Sequence, residues 1–291
     1  HMEENGRITG PLVDFNRCGI PLLEIVTKPD ICSSEEAIIF LKNLRNIVQY
    51  LGVCDGNLER GSMRCDANIS IRDPQTCKLG TKTEVKNMNS FRAIRKALDY
   101  EIKRQRKLIK KGEKILQETR RWNEENNRTI TMRNKEEAHD YRYFPEPDLL
   151  PIQIRDSCLI EIKKSLPELP EVRRDRFVTI YGLSDYDADR LVETKVLGDF
   201  FEEASENYND YKKLANWVLG ELLRYLRENS ISIESSPITA QRLAELLHLI
   251  DQKVISGKIA KTIFEKMFQT GKSAPELVEK SGLTQISNED E

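Results

Sequence analysis

Histidines and paired cysteines are scarce in this sequence. It has 3 histidines in 291 residues, and His1 resembles an expression-vector remnant. The pattern AELLHLI places His248 at the edge of a helix core, so His139 is the only histidine that is a candidate for chemistry. Without a positioned serine or cysteine partner, a hydrolase triad has little support. The 6 cysteines form no CxxC pair, which favours reduced thiols over a zinc site or a disulfide framework.

Long apolar runs are absent as well. No stretch approaches the roughly 20 apolar residues of a membrane-spanning helix, and the amino terminus lacks the apolar core of a signal peptide. We therefore expect a soluble, cytoplasmic protein without a membrane partner. Charged residues make up 32% of the chain, yet the formal net charge is only -2. The chain thus lacks the global basic character of many nucleic-acid-binding proteins, and any RNA-binding surface must be local.

The length of the chain favours two domains over one. Before residue 166 the patterns of strands alternate with those of helices, whereas from residue 167 onward nearly all patterns are helical. We predict an α+β domain over residues 1–166 and an all-α domain over residues 167–291.

Two extended runs, SMRCDANIS and TEVKN, carry polar residues where a buried strand would carry apolar ones. Alternate residues of a strand share a face, so each run has one polar and one apolar face. If the two runs pair antiparallel, their polar faces form one surface. Its side chains would be Arg64, Asp66, Asn68, Ser70, Lys82, Glu84 and Lys86. Such oxygen ligands suit Mg²⁺ and such cations suit phosphate, although a solvated face with ordinary ion pairs fits the pattern equally well.

Glu24 lies in the apolar run PLLEIV, which reads as a buried strand. An ionised carboxylate in such a strand needs a cation, a metal ion or hydrogen-bond donors. This makes Glu24 a candidate functional residue, with a structural salt bridge as the alternative.

Two helices are predicted in the first domain. Ser33 to Glu36 form a capping box before an apolar stripe that ends at Gly52. A second helix, from Asn89 or Ser90 to about Lys111, carries an apolar side and a basic side, and the basic side is either solvated or a contact for RNA or a partner. Its cations are Arg92, Arg95, Lys96, Lys103, Arg104, Arg106, Lys107 and Lys110. A strand, QETRRW, is predicted after it.

The segment 131–148 combines aromatic residues, prolines and charges in a way that favours a rigid loop holding polar groups in fixed positions. It supplies candidates for contacts with substrate or ATP, to which we add Ser90. The full set of candidates is Ser90, Arg133, His139, Asp140, Arg142 and Glu146.

Several blocks of the sequence together resemble one family. LVDFNRCGIPLLEIVTKPD, YLGVCDGNLERGSMRCDANISIR, GTKTEVKNMNSFRAIRKALDYEI, QETRRW and MRNKEEAHDYRYFPEPDL are similar to the B subunit of the tRNA-dependent aspartyl/glutamyl-tRNA amidotransferase. The helical blocks ANWVLGELLRYL, SPITAQRLAELLHLI and ISGKIAKTIFEKM are similar to the helical domain of the same protein. The archaeal E subunit is a close relative that shares the first domain.

The resemblance implies a carbon–nitrogen ligase. The family uses ATP and Mg²⁺ to phosphorylate the side-chain carboxylate of Glu or Asp misacylated onto tRNA. Ammonia from the A subunit, the glutaminase, then displaces phosphate, in a complex that also contains a C subunit. The implied fold is a glutamine synthetase-like cradle with an antiparallel sheet, followed by the helical domain.

The resemblance also assigns residues. Glu24 matches the metal-binding glutamate of the family, and the cradle blocks contain the predicted catalytic residues Arg64, Asp66, Asn68, Glu84, Lys86 and Asn87. In the helical half, Lys258 and Lys261 follow Gly257 at a helix start and are candidates for tRNA contact, with a helix cap and solvated lysines as the alternative.

The family pattern continues beyond both ends of this sequence, so we expect a fragment that is inactive by itself. A different ATP-dependent ligase on the same fold and a non-catalytic RNA-binding or scaffold protein are the competing interpretations. The sequence does not distinguish Glu-tRNA(Gln) from Asp-tRNA(Asn) as substrate.

Overall fold

The computed structural model describes residues 2–4, 7–10, 15–16, 19–134, 147–148 and 150–281. Its first part contains two sheets and two long helices, and its second part is helical. The strands are β1 (Met2–Glu4), β2 (Arg7–Gly10), β3 (Ala67–Ile69), β4 (Thr83–Lys86), β5 (Glu118–Asn123) and β6 (Arg128–Asn134). The helices are α1 (Ser34–Tyr50), α2 (Phe91–Lys110), α3 (Asp156–Ser165), α4 (Pro170–Tyr181), α5 (Asp185–Leu191), α6 (Lys195–Ser205), α7 (Tyr211–Trp217), α8 (Leu223–Glu228), α9 (Ala240–Asp251), α10 (Gly257–Thr270) and α11 (Ala274–Ser281). A π-helical turn at Val218–Leu222 joins α7 to α8.

Both long helices of the first part begin at the predicted caps. The hydroxyl of Ser33 accepts a hydrogen bond of 3.1 Å from the backbone N–H of Glu36, and the Glu36 carboxylate in turn accepts one from the N–H of Cys32. The hydroxyl of Ser90 accepts from the N–H of Ala93 at the start of α2. These bonds satisfy N–H groups that have no partner within the helix, so the predicted helix starts are confirmed.

The main sheet has the strand order β3-β4-β5-β6. β3 pairs with β4 antiparallel, as predicted, and β5 pairs with β6 antiparallel. β4 and β5, however, are parallel, so the prediction of a wholly antiparallel sheet was wrong. The reason is α2: it connects β4 to β5 and returns the chain to its starting edge, so that β5 runs in the same direction as β4.

One face of this sheet packs against α2. Ile69 and Val85 of the strands and Ala93, Ile94 and Ala97 of the helix are buried there. Trp122 is 3% exposed and meets Tyr100 of α2 edge to face. The apolar faces of the strands therefore form a core with α2, and the polar faces of β3 and β4 lie on the opposite side of the sheet.

The helices from α4 to α11 enclose a second hydrophobic core. Apolar residues of these helices supply much of it: Leu214, Val218, Leu222, Leu243, Leu246 and Leu247 are each 0% exposed. The described elements from residue 167 to residue 281 are all helical, as the sequence patterns indicated. The two parts touch at the end of α1, where the side chains of Asn46 and Tyr50 both donate hydrogen bonds to the carbonyl of Val192, at 3.0 and 3.1 Å.

The segment 20–26 has no strand, contrary to the prediction. Its apolar side chains lie exposed, and Leu22 is 87% exposed. The prediction of a buried strand was wrong because an apolar run becomes a strand only where a neighbouring strand or layer pairs with it, and the described residues include no partner for this segment.

Candidate active site

The pairing of β3 with β4 creates the polar surface that the sequence predicted. Asn68 lies opposite Glu84 in the register, and Ala67 lies opposite Val85. Thr83 and Val85 are buried, whereas Glu84 and Lys86 are half-buried and Asn68 is exposed. The hairpin therefore has one apolar and one polar face, as predicted. We call the polar side of the sheet, formed by Asp66, Asn68, Glu84, Lys86, Thr119 and Arg121, the polar face.

Lys86 links two carboxylates on the polar face. Its Nζ lies 2.7 Å from Asp66 Oδ2 and 3.4 Å from Glu84 Oε1. The hydrogen bond that Lys86 donates to Asp66 raises the pKa of the lysine, and this effect outweighs the opposing effect of partial burial. Lys86 thus remains charged, and its charge is compensated by two acidic neighbours.

Glu84 is held from the next strand. Thr119 of β5 is 1% exposed, and its hydroxyl donates a hydrogen bond of 2.8 Å to Glu84 Oε2. The two residues lie side by side because β4 and β5 pair in parallel with Glu84 opposite Thr119. Sequence reasoning missed Thr119: the strand QETRRW was predicted, but its partner strand was not.

Asn87 ends β4 with a left-handed backbone conformation, at a φ of 65°. Asparagine tolerates this conformation better than most residues. Its side-chain amide donates a hydrogen bond of 3.2 Å to the carbonyl of Trp122 in β5. Asn87 therefore fixes the end of β4 against β5, which is a positioning role. Ser90, a predicted substrate contact, serves as the cap of α2.

A cleft of about 330 Å³ opens at this end of the sheet. It is lined by residues 58–61 and 63–66 and by Asn87, Met88 and Asn89. Asp66 and Arg64, two of the predicted catalytic residues, are among them. Arg64 is exposed, and its Nε lies 3.4 Å from the carbonyl of Gly61. The cleft thus combines two carboxylates, two guanidinium groups and two amides, from Glu59, Asp66, Arg60, Arg64, Asn87 and Asn89.

A hydrogen-bonded loop forms one wall of the cleft. The carboxylate of Asp55 accepts hydrogen bonds from the Ser62 hydroxyl and from the N–H of Asn57. These bonds lower the pKa of Asp55, and the bond from Ser62 has the larger effect. Asn57 in turn accepts from the N–H of Arg60 at 2.9 Å. The loop is therefore held by its own side chains, and sequence reasoning did not identify Asp55 or Ser62.

On the side of the sheet that faces α2, four charged residues form a compact network. Glu101 is 0% exposed, and both of its carboxylate oxygens accept hydrogen bonds from the guanidinium of Arg104 at 2.6 to 3.0 Å. Arg120 Nη1 lies 2.7 Å from Glu118 Oε1, and Arg104 Nη2 lies 3.3 Å from the same oxygen. Arg104 was predicted on the basic side of α2, either solvated or in contact with RNA or a partner. That prediction was wrong for this residue, because its guanidinium contacts the carboxylates of Glu101 and Glu118.

Glu24, the predicted metal ligand, belongs to no group of three or more potential metal ligands among the described residues. It lies exposed in the segment without a strand. Among the described residues, no group of three or more His, Cys, Asp or Glu side chains is placed to hold a metal ion. The two carboxylates of the polar face, Asp66 and Glu84, contact Lys86, and Glu84 also accepts from Thr119.

The remaining predicted residues are placed as follows. His139, Asp140, Arg142 and Glu146 lie outside the described residues, and Arg133 lies in β6, opposite Thr119 in the register, with its side chain outside the description. Lys258 is exposed in the first turn of α10. Lys261 forms an ion pair of 2.7 Å with Glu221, so its charge is partly compensated. In the part of the chain that the structure describes, no helix is long and apolar enough to cross a membrane.

Two parts of the chain match known protein families. Residues 1–160 match the family of the GatB/GatE catalytic domain, and residues 199–291 match the GatB domain. The first match covers more than half of the chain, so the chain belongs to the GatB/GatE family.

Curated relatives give the same result with a more specific name. The chain is 51% identical over 297 residues to the B subunit of the aspartyl/glutamyl-tRNA(Asn/Gln) amidotransferase of Thermoanaerobacter sp. (strain X514), covering 100% of this chain and 62% of the relative. It is 52% identical over 277 residues to the protein of that name from Carboxydothermus hydrogenoformans, covering 95% of this chain and 58% of the relative. For the protein of that name from Thermotoga maritima the identity is 50% over 283 residues, covering 97% and 59%. The chain thus spans about three fifths of the length of these relatives.

Proposed function

We propose that this chain is the central part of an amidotransferase B subunit that converts Glu or Asp misacylated onto tRNA into Gln or Asn. The single observation that supports this proposal best is the polar face, in a chain about 50% identical to curated B subunits. The relatives' name specifies both the tRNA and the amido transfer. The cytoplasm, where misacylated tRNA is found, is the proposed location.

The proposed reaction has two steps. An oxygen of the side-chain carboxylate attacks the γ-phosphorus of ATP, and the bond to ADP breaks, which leaves an acyl phosphate. Ammonia then attacks the acyl carbon and loses a proton, and phosphate leaves as the amide forms. The first step is necessary because a carboxylate is a poor electrophile, and phosphorylation gives it a leaving group. In phosphoryl transfer a protein acts chiefly by positioning the groups and by offsetting charge.

The polar face and the adjoining cleft have groups suited to both tasks. We assign Lys86 and Arg64 to charge compensation at the transferring phosphoryl group, since both are cations at the cleft end of the sheet. Glu84 and Asp66 would orient Lys86 through the ion pairs of 3.4 and 2.7 Å. Asn68, exposed opposite Glu84, supplies an amide for a polar group of the substrate.

Mg²⁺ is the proposed companion of ATP, with Glu24 as one ligand. The described residues do not fit a magnesium site by themselves, since their acidic side chains do not converge in a group of three.

The proposed partners are the A subunit, which supplies ammonia, the C subunit, and misacylated tRNA. In this division of work the helical part positions tRNA, and Lys258 is its candidate phosphate contact because it is exposed at a helix start. The proposed fold of the first part, a glutamine synthetase-like cradle, is consistent with a mixed sheet backed by α2.

The proposal is tested in the complete enzyme. The full-length B subunit is co-expressed with the A and C subunits, and misacylated tRNA is incubated with glutamine, with and without ATP. We expect conversion only when ATP is present, with one ADP released per amide formed. Conversion at the same rate without ATP would contradict the activation step. Binding of tRNA without any conversion would favour the RNA-binding scaffold instead.

A further inference from the structure

β5 carries two adjacent arginines that point to opposite sides of the sheet. Arg120 points toward α2, where its guanidinium donates hydrogen bonds to Glu118, to Thr131 and to both the hydroxyl and the carbonyl of Thr129. Arg121, the next residue, is exposed. Successive side chains of a strand alternate between its faces, so Arg121 lies on the same side as Thr119, whose hydroxyl contacts Glu84.

The strand register places Arg121 beside Lys86. In the parallel pairing of β4 with β5, Lys86 lies opposite Arg121, just as Glu84 lies opposite Thr119. Asn87, which follows Lys86, donates its hydrogen bond to the carbonyl of Trp122, which follows Arg121. Arg121 is therefore held at the end of the sheet where the cleft opens.

The two neighbouring cations differ in their partners. Lys86 is engaged by Asp66 at 2.7 Å and by Glu84 at 3.4 Å. The side chain of Arg121 makes no hydrogen bond or ion pair within the described part of the chain. Among the described residues, no carboxylate therefore competes with an incoming anion for the guanidinium of Arg121.

We propose that Arg121 binds the phosphoryl oxygens of the nucleotide on the polar face. This inference rests on the proposed function and adds a residue that the sequence analysis left without a role. A guanidinium group presents parallel N–H donors that match two oxygens of one phosphate. A polyphosphate carries several negative charges, so it gains more from an uncompensated cation than a single carboxylate does. Arg121 then holds the anion beside Lys86, which its two acidic neighbours orient.

The experiment measures nucleotide binding to the 291-residue chain by titration calorimetry. The probes are ATP, ADP and adenosine, and the variants are Arg121→Gln and Arg121→Lys. The matched control is Arg227→Gln, an exposed arginine of α8 in the helical part. We expect Arg121→Gln to weaken ATP binding about tenfold or more, ADP binding less, and adenosine binding not at all. Arg121→Lys should retain part of the ATP affinity, and the control should match the parent chain.

The inference is overturned if Arg121→Gln binds ATP as tightly as the parent does, if it weakens adenosine as much as ATP, or if the parent binds none of the three probes. A drop in melting temperature specific to Arg121→Gln, with equal losses for every probe, would assign Arg121 a structural role and also overturn it. The proposed function is judged separately, by ATP-dependent conversion in the complete enzyme, which can succeed even if Arg121 does not contact the nucleotide.

Discussion

Tyr50 of α1 donates a hydrogen bond of 3.1 Å to the carbonyl of Val192, which follows α5 in the helical part. The residues are 142 positions apart in the sequence. Asn46, one turn earlier on α1, donates to the same carbonyl at 3.0 Å. A single backbone oxygen thus accepts hydrogen bonds from both side chains, and these two bonds connect the end of α1 to the helical part.

Replacing Tyr50 with Phe should weaken this connection. The hydroxyl is lost and the ring stays, so we expect a loss of about 1 kcal/mol in the free energy of unfolding, the usual net value of one hydrogen bond. Urea denaturation measures this free energy. The control is Tyr186→Phe, at a tyrosine that is 67% exposed. Equal stability of the parent and Tyr50→Phe would contradict the prediction.

The contribution of the Tyr50 hydroxyl to the free energy of unfolding should also depend on pH. Burial raises the pKa of Tyr50, an effect that the nearby Arg173 partly offsets. A raised pKa means that the folded state favours the protonated phenol. The contribution is therefore fully present below the unfolded-state pKa of about 10 and is lost as the pH rises through the folded-state value. The difference between the parent and Tyr50→Phe should thus be constant near neutral pH and shrink in strong alkali.

Glu101 is the centre of the buried network, and its removal should be costly. Glu101→Ala leaves Arg104 and Arg120 with one fewer carboxylate between them and leaves Thr129 without its acceptor. Breaking a buried ion pair by removing one partner typically costs about 3–5 kcal/mol. The midpoint of urea denaturation should fall accordingly. Glu113→Ala, at an exposed residue paired with Lys111 at 3.5 Å, should change stability by less than about 1 kcal/mol.

Cys65 should react slowly with alkylating reagents. Burial, together with the neighbouring charge of Asp66, raises its pKa to about 11. Because the thiolate is the reactive species, the rate of modification by iodoacetamide should keep rising with pH until the pH approaches 11. Cys32, which is exposed, serves as the internal reference. Mass spectrometry of peptides after timed alkylation at pH 8 gives both rates, and equal rates would contradict the prediction.

The features that could be predicted from the sequence are those determined by neighbouring residues. The cap at Ser33, the cap at Ser90 and the two-faced hairpin around Asn68 and Glu84 depend on short-range patterns, and the structure contains all three. The helical patterns from residue 167 onward also predicted the helices that the structure has there.

The features that were missed depend on pairing between distant segments. A strand pattern does not state which strand lies beside it, so the parallel pairing of β4 with β5 was not predicted, and neither was the hydrogen bond of Thr119 with Glu84. Arg104 was misassigned for the same reason, since helical spacing does not show that Glu118 approaches from β5. Glu24 was placed in a buried strand because its neighbours are apolar, whereas burial requires a second layer as well.

The exposed cations at the end of α2 should contribute to the binding of tRNA. Lys103, Arg106, Lys107 and Lys110 recur at helical spacing, are exposed, and lie on one side of α2. Replacing all four with Gln should weaken tRNA binding, and the slope of log affinity against log salt should fall by about 1 for each phosphate that the variant no longer neutralises. Fluorescence anisotropy with labelled tRNA measures both. ATP binding should not change, since this side of α2 faces away from the polar face. An unchanged salt slope would indicate that these cations are merely solvated.

The strongest effect on catalysis should come from Lys86 and Arg64. In the complete enzyme, Lys86→Ala and Arg64→Ala each remove a cation near the site proposed for the transferring phosphoryl group. The loss of one such group typically slows the chemical step about a hundredfold or more. Stability should change little, because the ion pairs of Lys86 are partly exposed to solvent, at 35% of the lysine side chain and 49% of that of Asp66. The measurements are the rate of ATP-dependent tRNA conversion and the melting temperature of each variant. Lys78→Ala, in the exposed turn between β3 and β4, controls for the loss of one surface lysine and should keep the parent rate. If both variants lost activity only in proportion to a lower melting temperature, Lys86 and Arg64 would be structural residues, and the polar face would have no part in phosphoryl transfer.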